Sequence, residues 1–573
     1  MAEIGAGNEA VGTATRRMGL EQALTEARGA HVAGRLDEAA AIYRQILTQL
    51  PKQPTALYLL GVVALQRDQL AEAIRLIGLG VIGEPGNAEA WAHLGIALHR
   101  AGKLDDAMGA LERCLHLAPD HLGSSFERAM LLNDMGQSDQ ALAAYDRTIA
   151  LDPRFFPAQL NRANLLFRMD RAEQAAEGFR AASALKPDDP RCHNNLAVTL
   201  RALGRRPEAL RAFEAALQRD PRFPAAETGR GIVLAELARY EESVAAFDRA
   251  LAIDPGDVGA HFNRGLSLLS LERWAEAWPE YEWRWRLADN PSKPRDFTQP
   301  EWDGRHLAGE RLLLHAEQGI GDTFQFLRYA SQAKALGARV FVECQANVKR
   351  LLARSPGIDL LFARGEALPA FDLHAPLMSL PRILQTQPGA IPAPLRYVIA
   401  DPEDIAARAG QLSALQRPRI GILWQGNLYN KSLRGRSTEL LLWSAILQHR
   451  DAAFISLQSD PGRSQMADID LAHRPFDPFA DAPPRDFADT AAIIADLDLV
   501  ISIDTAVAHL AGAMGKPVWV MLPFAADWRW AREGNTSSWY PSMRLFRQRR
   551  PGDWVEVMEQ LETALGAFLH DSK

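Results

Sequence analysis

Three segments in the second half of the chain carry residues whose types and spacing suit acid–base chemistry or anion binding. The first is the turn 317–323, in which Gly319 and Gly321 precede Asp322 near the start of an expected helix. Aspartate is a preferred residue at a helix start, and a carboxylate that faces a cleft is also a candidate general base. The sequence leaves both roles open for Asp322.

The second segment, 424–437, clusters cations with Gly, Asn and Ser after an apolar run. Its cations include Lys431, Arg434 and Arg436. Arginine offers phosphate oxygens a planar fork and lysine offers a point charge, so the loop is a candidate cradle for a diphosphate. A solvated surface loop is the alternative. That alternative is weakened because Lys431 is the only lysine between Lys349 and Lys516.

The third segment, 502–509, ends a strongly apolar run and begins a helix of small residues, with Asp504 and Thr505 at the junction. Free backbone N–H groups at such a helix start form an anion site. Thr505 and His509 are four residues apart and share a helix face, so both side chains can reach a ligand bound there. For His509, the alternative is a buried structural histidine.

These segments follow short apolar runs that alternate with helical segments, a pattern that predicts parallel strands in β-α units. The expected strands are 312–316, 339–344, 359–363, 371–375, 419–424, 453–457, 497–503 and 517–522. The stretch QPGAIPAPLRYVIADPED separates them into two sets. This division predicts two doubly wound subdomains facing a cleft, where ligands gather at the carboxyl ends of strands.

A repeat of 34 residues governs the first half of the chain. Prolines stand at 51, 85, 119, 153, 187, 221 and 255, with a small residue twelve positions before each and a bulky apolar residue four positions after that small one. The small residue lets two helices approach, the bulky residue fills the gap, and the proline ends the second helix. The pattern therefore predicts a row of helical pairs.

The pattern resembles the tetratricopeptide repeat over about residues 19–287. The resemblance implies eight helical pairs in a right-handed superhelix whose groove binds an extended peptide or a partner helix. The groove-facing position in three repeats holds Asn161, Asn195 and Asn263, similar to the asparagine ladder by which O-linked N-acetylglucosamine transferases hold a substrate backbone. A tolerated polar residue on a solvated face is the alternative.

The composition excludes several classes of protein. Of 573 residues, 47% are hydrophobic and 24% are charged, which is typical of folded globular chains. A net charge of −7 gives no field for nucleic acid, and three scattered cysteines form no disulfide framework or zinc site. The chain shows no signal sequence and no apolar run long enough to span a membrane, so we expect a cytoplasmic protein.

GIGDT, the basic loop and SIDTAVAHLAGAMGKPV together resemble glycosyltransferases of the ADP-heptose:lipopolysaccharide heptosyltransferase type, over about residues 310–570. EQGIGD, LFRQ, DWRW and GDW resemble bacterial proteins that join tetratricopeptide repeats to such a domain, among them modular flagellin glycosyltransferases. The resemblance implies the GT-B fold, with Asp322 as the base that deprotonates an acceptor hydroxyl.

The same resemblance implies the residues of the donor side. Lys431, Arg436 and Thr505 would contact the leaving phosphate, and His509 would support them. Gln458 would lie near the base or ribose of the nucleotide. The basic loop is longer than the usual form, so which of Lys431, Arg434 and Arg436 contacts phosphate stays open. The implied reaction is an inverting displacement without a metal ion or cofactor. The DxD-like sequences at 496–498 and 468–470 are rejected as metal sites because no ligand partners are spaced for octahedral coordination.

The expected architecture is an all-α tetratricopeptide superhelix followed by an α/β GT-B domain of two doubly wound, Rossmann-like subdomains. Its segments are a flexible N-terminus (1–18), repeats (19–288), a linker or seam (289–309), an acceptor-side subdomain (310–400) and a donor subdomain (401–573).

The predicted function is a protein glycosyltransferase whose repeats bind a polypeptide, with flagellin as the specific expectation, and whose second half transfers a sugar from a nucleotide donor to Ser or Thr. CMP-nonulosonic acid is a donor that fits the flagellin case by resemblance. Two alternatives are a repeat scaffold with an inactive transferase-like domain and a transferase that builds polysaccharide or lipopolysaccharide.

Overall fold

A computed structural model describes residues 19–290, 292–392, 394–426, 435–459 and 462–571. The expected flexible N-terminus at 1–18 and the cations Lys431 and Arg434 lie outside the described residues. The chain divides into two compact units, with the division between Arg219 and Asp220. The division falls within the repeats and not at the predicted linker.

The first unit consists of six helical pairs. Its helices are α1 (Leu20–Val32), α2 (Leu36–Gln49), α3 (Pro54–Gln66), α4 (Leu70–Gly83), α5 (Ala88–Arg100), α6 (Leu104–Leu117), α7 (Leu122–Asp134), α8 (Ser138–Leu151), α9 (Phe156–Arg168), α10 (Ala172–Leu185), α11 (Pro190–Ala202) and α12 (Arg206–Arg219). The repeated small and bulky residues are fully buried between paired helices, as Ala73 and Ile77 show. The predicted packing of small and bulky residues between paired helices is therefore present in the structure.

The second unit begins with two more helical pairs: α13 (Pro224–Glu236), α14 (Tyr240–Ile253), α15 (Val258–Ser270) and α16 (Trp274–Tyr281). Helix α16 is only eight residues long, contains Pro279 and runs into a 3-10 turn at Glu282–Arg286. Proline in a helix interior removes a backbone donor and clashes with the preceding turn. The repeat pattern therefore ends at α16.

Two parallel sheets follow in the same unit. The strands are β1 (Arg311–His315), β2 (Arg339–Cys344), β3 (Leu360–Ala363), β4 (Leu373–Pro376), β5 (Arg419–Leu423), β6 (Ala453–Ser456), β7 (Leu499–Ile503), β8 (Val518–Leu522) and β9 (Met543–Arg547). The first sheet has the order β3-β2-β1-β4 and the second β6-β5-β7-β8-β9. All neighbouring strands in both sheets are parallel.

The connecting helices are α17 (Ile320–Phe326), α18 (Tyr329–Ala335), α19 (Ala346–Leu352), α20 (Leu380–Ile383), α21 (Pro402–Leu412), α22 (Ser444–Leu447), α23 (Phe487–Ala495), α24 (Ala506–Ala513) and α25 (Trp554–Asp571). The strand order reverses between β1 and β4 in one sheet and between β5 and β7 in the other. Ligands of open α/β sheets bind outside the carboxyl ends of strands at such switch points. The turns after β1, β5 and β7 are therefore the places to look for a site.

All eight predicted strands are present, with shifts of one or two residues at their ends. Strand β9 was missed. Met543, Leu545 and Phe546 of this edge strand are buried, whereas Arg544 is exposed, and the two arginines obscure its apolar pattern. In the ranges that the structure describes, no helix has the length and apolar character needed to cross a bilayer.

An aromatic cluster joins the last repeat to the second sheet's loops. Trp278 of α16 lies edge-on to Trp528, with ring centroids 5.7 Å apart, and Trp274 stacks on Trp539 at 5.7 Å. The segment between the repeats and β1 is also ordered: the Trp302 backbone N–H donates to the His374 carbonyl at 2.8 Å. The last repeat is thereby packed against the α/β part of the same unit.

The close packing of repeat helices generates a stability prediction with a matched control. In α3, a Cβ on Gly61 would lie 2.6 Å from Ile77 Cγ1 and 2.9 Å from the Ile77 backbone nitrogen, whereas a Cβ on Gly78 in α4 meets nothing within 4 Å. We expect Gly61→Ala to lower the free energy of unfolding by about 1–3 kcal/mol through overpacking. Gly78→Ala should raise it by about 0.5–1 kcal/mol, because alanine costs less backbone entropy in a helix. Thermal unfolding followed by circular dichroism checks both, and equal shifts would contradict the packing.

Candidate functional site

The turn after β1 carries Asp322 into the space between the two sheets. Helix α17 begins at Ile320 with Gly319 as its N-cap, two residues earlier than expected, so Asp322 is the third helical residue and not the cap itself. Its Oδ2 accepts a hydrogen bond from the Gly319 N–H at 3.0 Å. A carboxylate in the first turn is also favoured by the helix dipole. Asp322 therefore stabilises its own helix start, and its side chain stays 21% exposed.

A buried ion pair anchors this turn from below. Arg284, from the 3-10 turn after α16, is fully buried; its Nε donates to Glu317 Oε2 at 3.0 Å and its Nη2 to Ser379 Oγ at 2.7 Å. Glu317 also accepts the Met378 N–H at 3.1 Å. Burial raises the pKa of Glu317 to about 7, against the opposing effect of Arg284. Arg284, which follows the last repeat helix, thus fixes Glu317, the first residue of the turn 317–323.

Arg529 contacts Asp322 from the other sheet's loops. Arg529 lies in a short 3-10 turn, Trp528–Trp530, and its Nη2 donates to Asp322 Oδ1 at 2.6 Å. Its Nη1 donates to Asp527 Oδ1 at 2.9 Å and its Nε to Gln325 Oε1 at 2.6 Å. Both carboxylate oxygens of Asp322 therefore accept a hydrogen bond: Oδ2 from the N-cap of its own helix and Oδ1 from Arg529 in the facing loop.

The charge chain continues to the start of α24. Arg436 donates to Asp504 Oδ2 at 2.6 Å and to Asp527 Oδ2 at 3.4 Å. Although burial opposes it, Arg529 and Arg436 hold the pKa of Asp527 at about 2. Burial raises the pKa of Asp504 above its ordinary value, with Arg436 acting in the opposite direction. The guanidinium of Arg436 is thus already paired with carboxylates.

Helix α24 begins beside α17. Thr505 is its N-cap without a side-chain cap hydrogen bond, and the Thr505 hydroxyl lies 3.2 Å from Ser502 Oγ. A Cβ on Gly321 would lie only 3.0 Å from His509 Cδ2 and 3.6 Å from Ala506 Cα. Glycine at 321 therefore permits the two helix starts to meet. This contact brings Asp322, Thr505 and the first N–H groups of α24 to one cleft.

His509 is a buried residue of this contact. Its Nδ1 lies 2.9 Å from the Tyr540 hydroxyl, its ring stacks on Trp530 at 5.1 Å, and its Nε2 is 3.8 Å from Asp504 Oδ1. Burial lowers the pKa of His509 to about 3, with Arg529 acting in the same direction. A neutral His509 can orient its neighbours but carries no positive charge to a phosphate.

The loop after β5 is described only at its two ends. The Gly426 N–H donates to Ser437 Oγ at 3.1 Å. Buried Gln458 accepts from the Gln425 N–H at 2.9 Å and donates to the Gln425 carbonyl at 2.9 Å, so its amide holds this loop to the end of β6. A donor contact of Gln458, like the roles of Lys431 and Arg434, stays a prediction.

The three groove asparagines have different surroundings. In the first unit, Asn195 Nδ2 donates to Asn164 Oδ1 at 3.0 Å, and Asn161 is hydrogen-bonded to Tyr145. In the second unit, Asn263 Nδ2 donates to the Gly259 carbonyl of its own helix at 2.8 Å. All three side chains are half-buried, so a ladder function stays a prediction.

Sequence reasoning did not assign Arg529, Asp527, Arg284 or Glu317 to the site. The first two lie in the DWRW sequence, where an acidic and a basic residue alternate with buried tryptophans. Charged residues are almost never buried unless they are paired, and this was the available signal. Arg284 and Glu317 are 33 residues apart, and nothing local indicated their pairing. Within the described ranges, no three His, Cys, Asp or Glu side chains are grouped to hold a metal ion.

Comparison with known families agrees with the two halves of this structure. Tetratricopeptide repeat profiles match residues 32–82, 88–121, 132–198 and 194–258. The profile of glycosyltransferase family 9 (heptosyltransferase) matches residues 459–521, which include β7 and all of α24. The chain joins tetratricopeptide repeats to a glycosyltransferase domain. Its parallel sheets with their switch points are consistent with the expected GT-B fold.

Among curated proteins, the chain is similar to Protein FlbA of Caulobacter vibrioides, with 28% identity over 315 residues that cover 51% of this chain and 52% of FlbA. The chain thus spans about half the length of this relative. Solved structures similar to part of this chain include YrrB, a TPR protein with an unusual peptide-binding site (16% identity, 32% of this chain, 95% of YrrB, TM-score 0.30). PilF of Pseudomonas aeruginosa is another (19% identity, 35% of this chain, 91% of PilF, TM-score 0.32).

The Arg284–Glu317 pair generates a prediction about stability and pH. We expect Arg284→Met to lower the free energy of unfolding by about 3–5 kcal/mol, because Glu317 is left buried without its partner. The pKa of folded Glu317, about 7, lies above its ordinary 4.5, so the folded protein binds the extra proton and loses stability as pH rises through this window. Removing Arg284 raises this pKa further, so the loss should be greater at pH 8 than at pH 5.

Thermal unfolding of the full chain at both pH values measures this loss. Arg305→Met is the control, because Arg305 also lies between the last repeat and β1 but pairs with Asp303 on the surface. A loss independent of pH, or one matched by the control, would contradict the account of the buried pair.

Proposed function

We propose that the protein is a glycosyltransferase that modifies a polypeptide, and that Asp322 is its general base. The observation that carries the proposal is the meeting of α17 and α24 at Gly321, which brings a partly exposed carboxylate to the same cleft as a helix N-terminus. A base and an anion site carried by two adjoining helix starts suit transfer from a phosphate-activated donor to a hydroxyl. The family 9 match across α24 supports the same reaction class.

In this reaction, Asp322 takes the proton of an acceptor serine or threonine as its hydroxyl oxygen attacks the anomeric carbon. The bond between the anomeric carbon and the donor phosphate breaks, and its electrons leave with the phosphate. One displacement inverts the anomeric configuration. The N–H groups at the start of α24 and the Thr505 hydroxyl stabilise the charge that develops on the leaving group. No step in this scheme calls for a metal ion.

The leaving phosphate needs more positive charge than the described residues offer. Arg436 is committed to Asp504 and Asp527, and Arg529 to Asp322 and Asp527. We therefore assign phosphate contact to the helix start of α24 together with Lys431 and Arg434, and assign Arg436 to holding Asp504. CMP-nonulosonic acid remains the donor proposed by resemblance.

The acceptor in this proposal is a protein held by the repeats. Repeat arrays bind extended peptides in their grooves, and the half-buried amides of Asn161, Asn164 and Asn195 offer donors and acceptors to a peptide backbone. Flagellin is the acceptor that we propose, and the cytoplasm is the compartment. The inactive scaffold and the lipopolysaccharide transferase are the readings that the next experiment separates from this one.

Substitution of the base tests the proposed activity. In cells that lack the gene and carry a replacement copy, Asp322→Asn should lower transfer by about 100-fold or more, because asparagine cannot accept the proton. The measurement is the intact mass of cellular flagellin, which should lose a regular sugar increment. Exposed Asp303→Asn is the matched control and should leave the increment in place. An increment that persists without the gene would exclude flagellin as the acceptor. An increment that is lost without the gene but is present with the Asp322→Asn copy would exclude Asp322 as the base.

Substitution in the groove tests acceptor binding separately from chemistry. We expect the Asn161→Ala/Asn195→Ala double variant to raise the KM for the acceptor by about tenfold with kcat nearly unchanged, because uniform binding is lost while the cleft is intact. Gln174→Ala, at an exposed position of α10, is the control. A change in kcat alone, or an equal effect of the control, would contradict a peptide-binding role for these amides.

A further inference from the structure

Arg529 is held in place by more contacts than a surface arginine has. Its guanidinium donates through Nε to Gln325, through Nη1 to Asp527 and through Nη2 to Asp322. It also lies 4.6 Å from the centroid of the Trp528 ring and 5.8 Å from that of Phe326. Only 11% of its side chain is exposed. Each nitrogen of the fork therefore has an assigned acceptor in the protein.

This geometry argues against a direct role for Arg529 in binding the donor phosphate. A phosphate oxygen could reach only the two remaining N–H groups of a guanidinium whose charge Asp322 and Asp527 already balance. The geometry instead fixes the orientation of Asp322, because Arg529 binds Oδ1 while the Gly319 N–H binds Oδ2. A carboxylate held at both oxygens cannot rotate freely about its terminal bond, and each oxygen keeps a lone pair for the acceptor hydroxyl.

We propose that Arg529 is a positioning residue for the general base: it holds the Asp322 carboxylate in the orientation that faces the acceptor hydroxyl, and Asp527 and Gln325 hold Arg529. This inference rests on the proposed function of Asp322. It differs from a phosphate-binding role, because the contribution of Arg529 passes through Asp322 and disappears when Asp322 is replaced. Misplacement of a catalytic group by about 1 Å can cost about 100-fold in rate, which sets the expected scale.

The last repeat supports the loop that carries Arg529. Trp528 lies edge-on to Trp278 and Tyr281, with ring centroids 5.7 Å and 6.3 Å away. Side chains of α16 thus pack on the residue that precedes Arg529, within the same compact unit. The end of the repeats therefore supports the position of Asp322 in two ways. Arg284 holds the turn before α17, and side chains of α16 pack on Trp528 beside Arg529.

A thermal double-mutant cycle tests the ion pair without any substrate. The full-length protein is compared with Asp322→Asn, Arg529→Ala and the double variant. We expect the fall in melting temperature caused by Arg529→Ala to be about 2 °C or more smaller in the Asp322→Asn background, because the partner is already lost. Additive falls would overturn the proposal. Arg529→Lys, which keeps the charge and the aliphatic contacts, replaces the alanine variant if that variant does not fold.

A transfer assay tests the role in catalysis. Purified full-length variants are added to an extract of cells that lack the gene, and the intact mass of flagellin is followed with time. We expect Arg529→Ala and Arg529→Lys each to lower kcat by about 100-fold with little change in KM, since neither can bridge the three acceptors. Guanidinium chloride at low concentration should restore part of the rate of Arg529→Ala and none of that of Asp322→Asn. Arg532→Ala, in the same loop but paired on the surface with Glu241, should act as wild type.

The outcomes separate the inference from the function on which it rests. Wild-type rates for Arg529→Lys beside an inactive Asp322→Asn would overturn the positioning role and leave the base in place. Failure of guanidinium to raise the rate of Arg529→Ala would also overturn it. An active Asp322→Asn would overturn the base and the positioning role together. If wild type transfers nothing to flagellin, the proposed acceptor fails, and the thermal cycle alone decides whether Arg529 holds Asp322.

Discussion

The close approach of two helix starts is the constraint on which the rest of this site depends. Helix α17 follows the first strand of one sheet and α24 follows the third strand of the other, and they meet where a Cβ on Gly321 would lie only 3.0 Å from His509 Cδ2. A side chain at 321 would require His509 or the two helix starts to shift by a few tenths of an ångström, which would disturb the placement of Asp322 relative to α24. Buried side chains around this contact, among them His509 and the tryptophans that pack on it and on α16, keep the two helix starts in place.

Charge balance explains why so many ionised residues are tolerated in this cleft. Arg436 and Arg529 alternate in space with Asp504, Asp527 and Asp322, so each buried charge has an opposite neighbour within hydrogen-bond distance. Removing one member of such a chain leaves its neighbours buried and unpaired, which is strongly unfavourable. The arrangement also means that Arg436 and Arg529 pair with the protein's own carboxylates. For this reason our proposal assigns the donor phosphate to the α24 start together with Lys431 and Arg434.

Much of this organisation could be predicted from the sequence, for definite physical reasons. Ala73 and Ile77 recur at a fixed period because every repeat solves the same packing problem, and the strands before Asp322 and Thr505 are apolar because both faces of their sheets are covered. The pairing of Arg529 with Asp322 could not be predicted, because 207 residues separate them and only the folded chain brings them together. Arg436 was expected to be a phosphate ligand because its loop is basic, and its two carboxylate partners became evident only with the structure.

Hydrogen–deuterium exchange of the full chain with CMP, UDP and ADP tests most directly whether the α17–α24 cleft is the donor site. For each nucleotide that calorimetry shows to bind, the account predicts slower exchange of the backbone amides of Ala506, Val507 and Ala508 at the start of α24, and of Gly426 after β5. Exchange in the outer helices of the repeats, such as α10, should not change. A nucleotide that binds and leaves the α24 amides exchanging at their original rates would contradict the account.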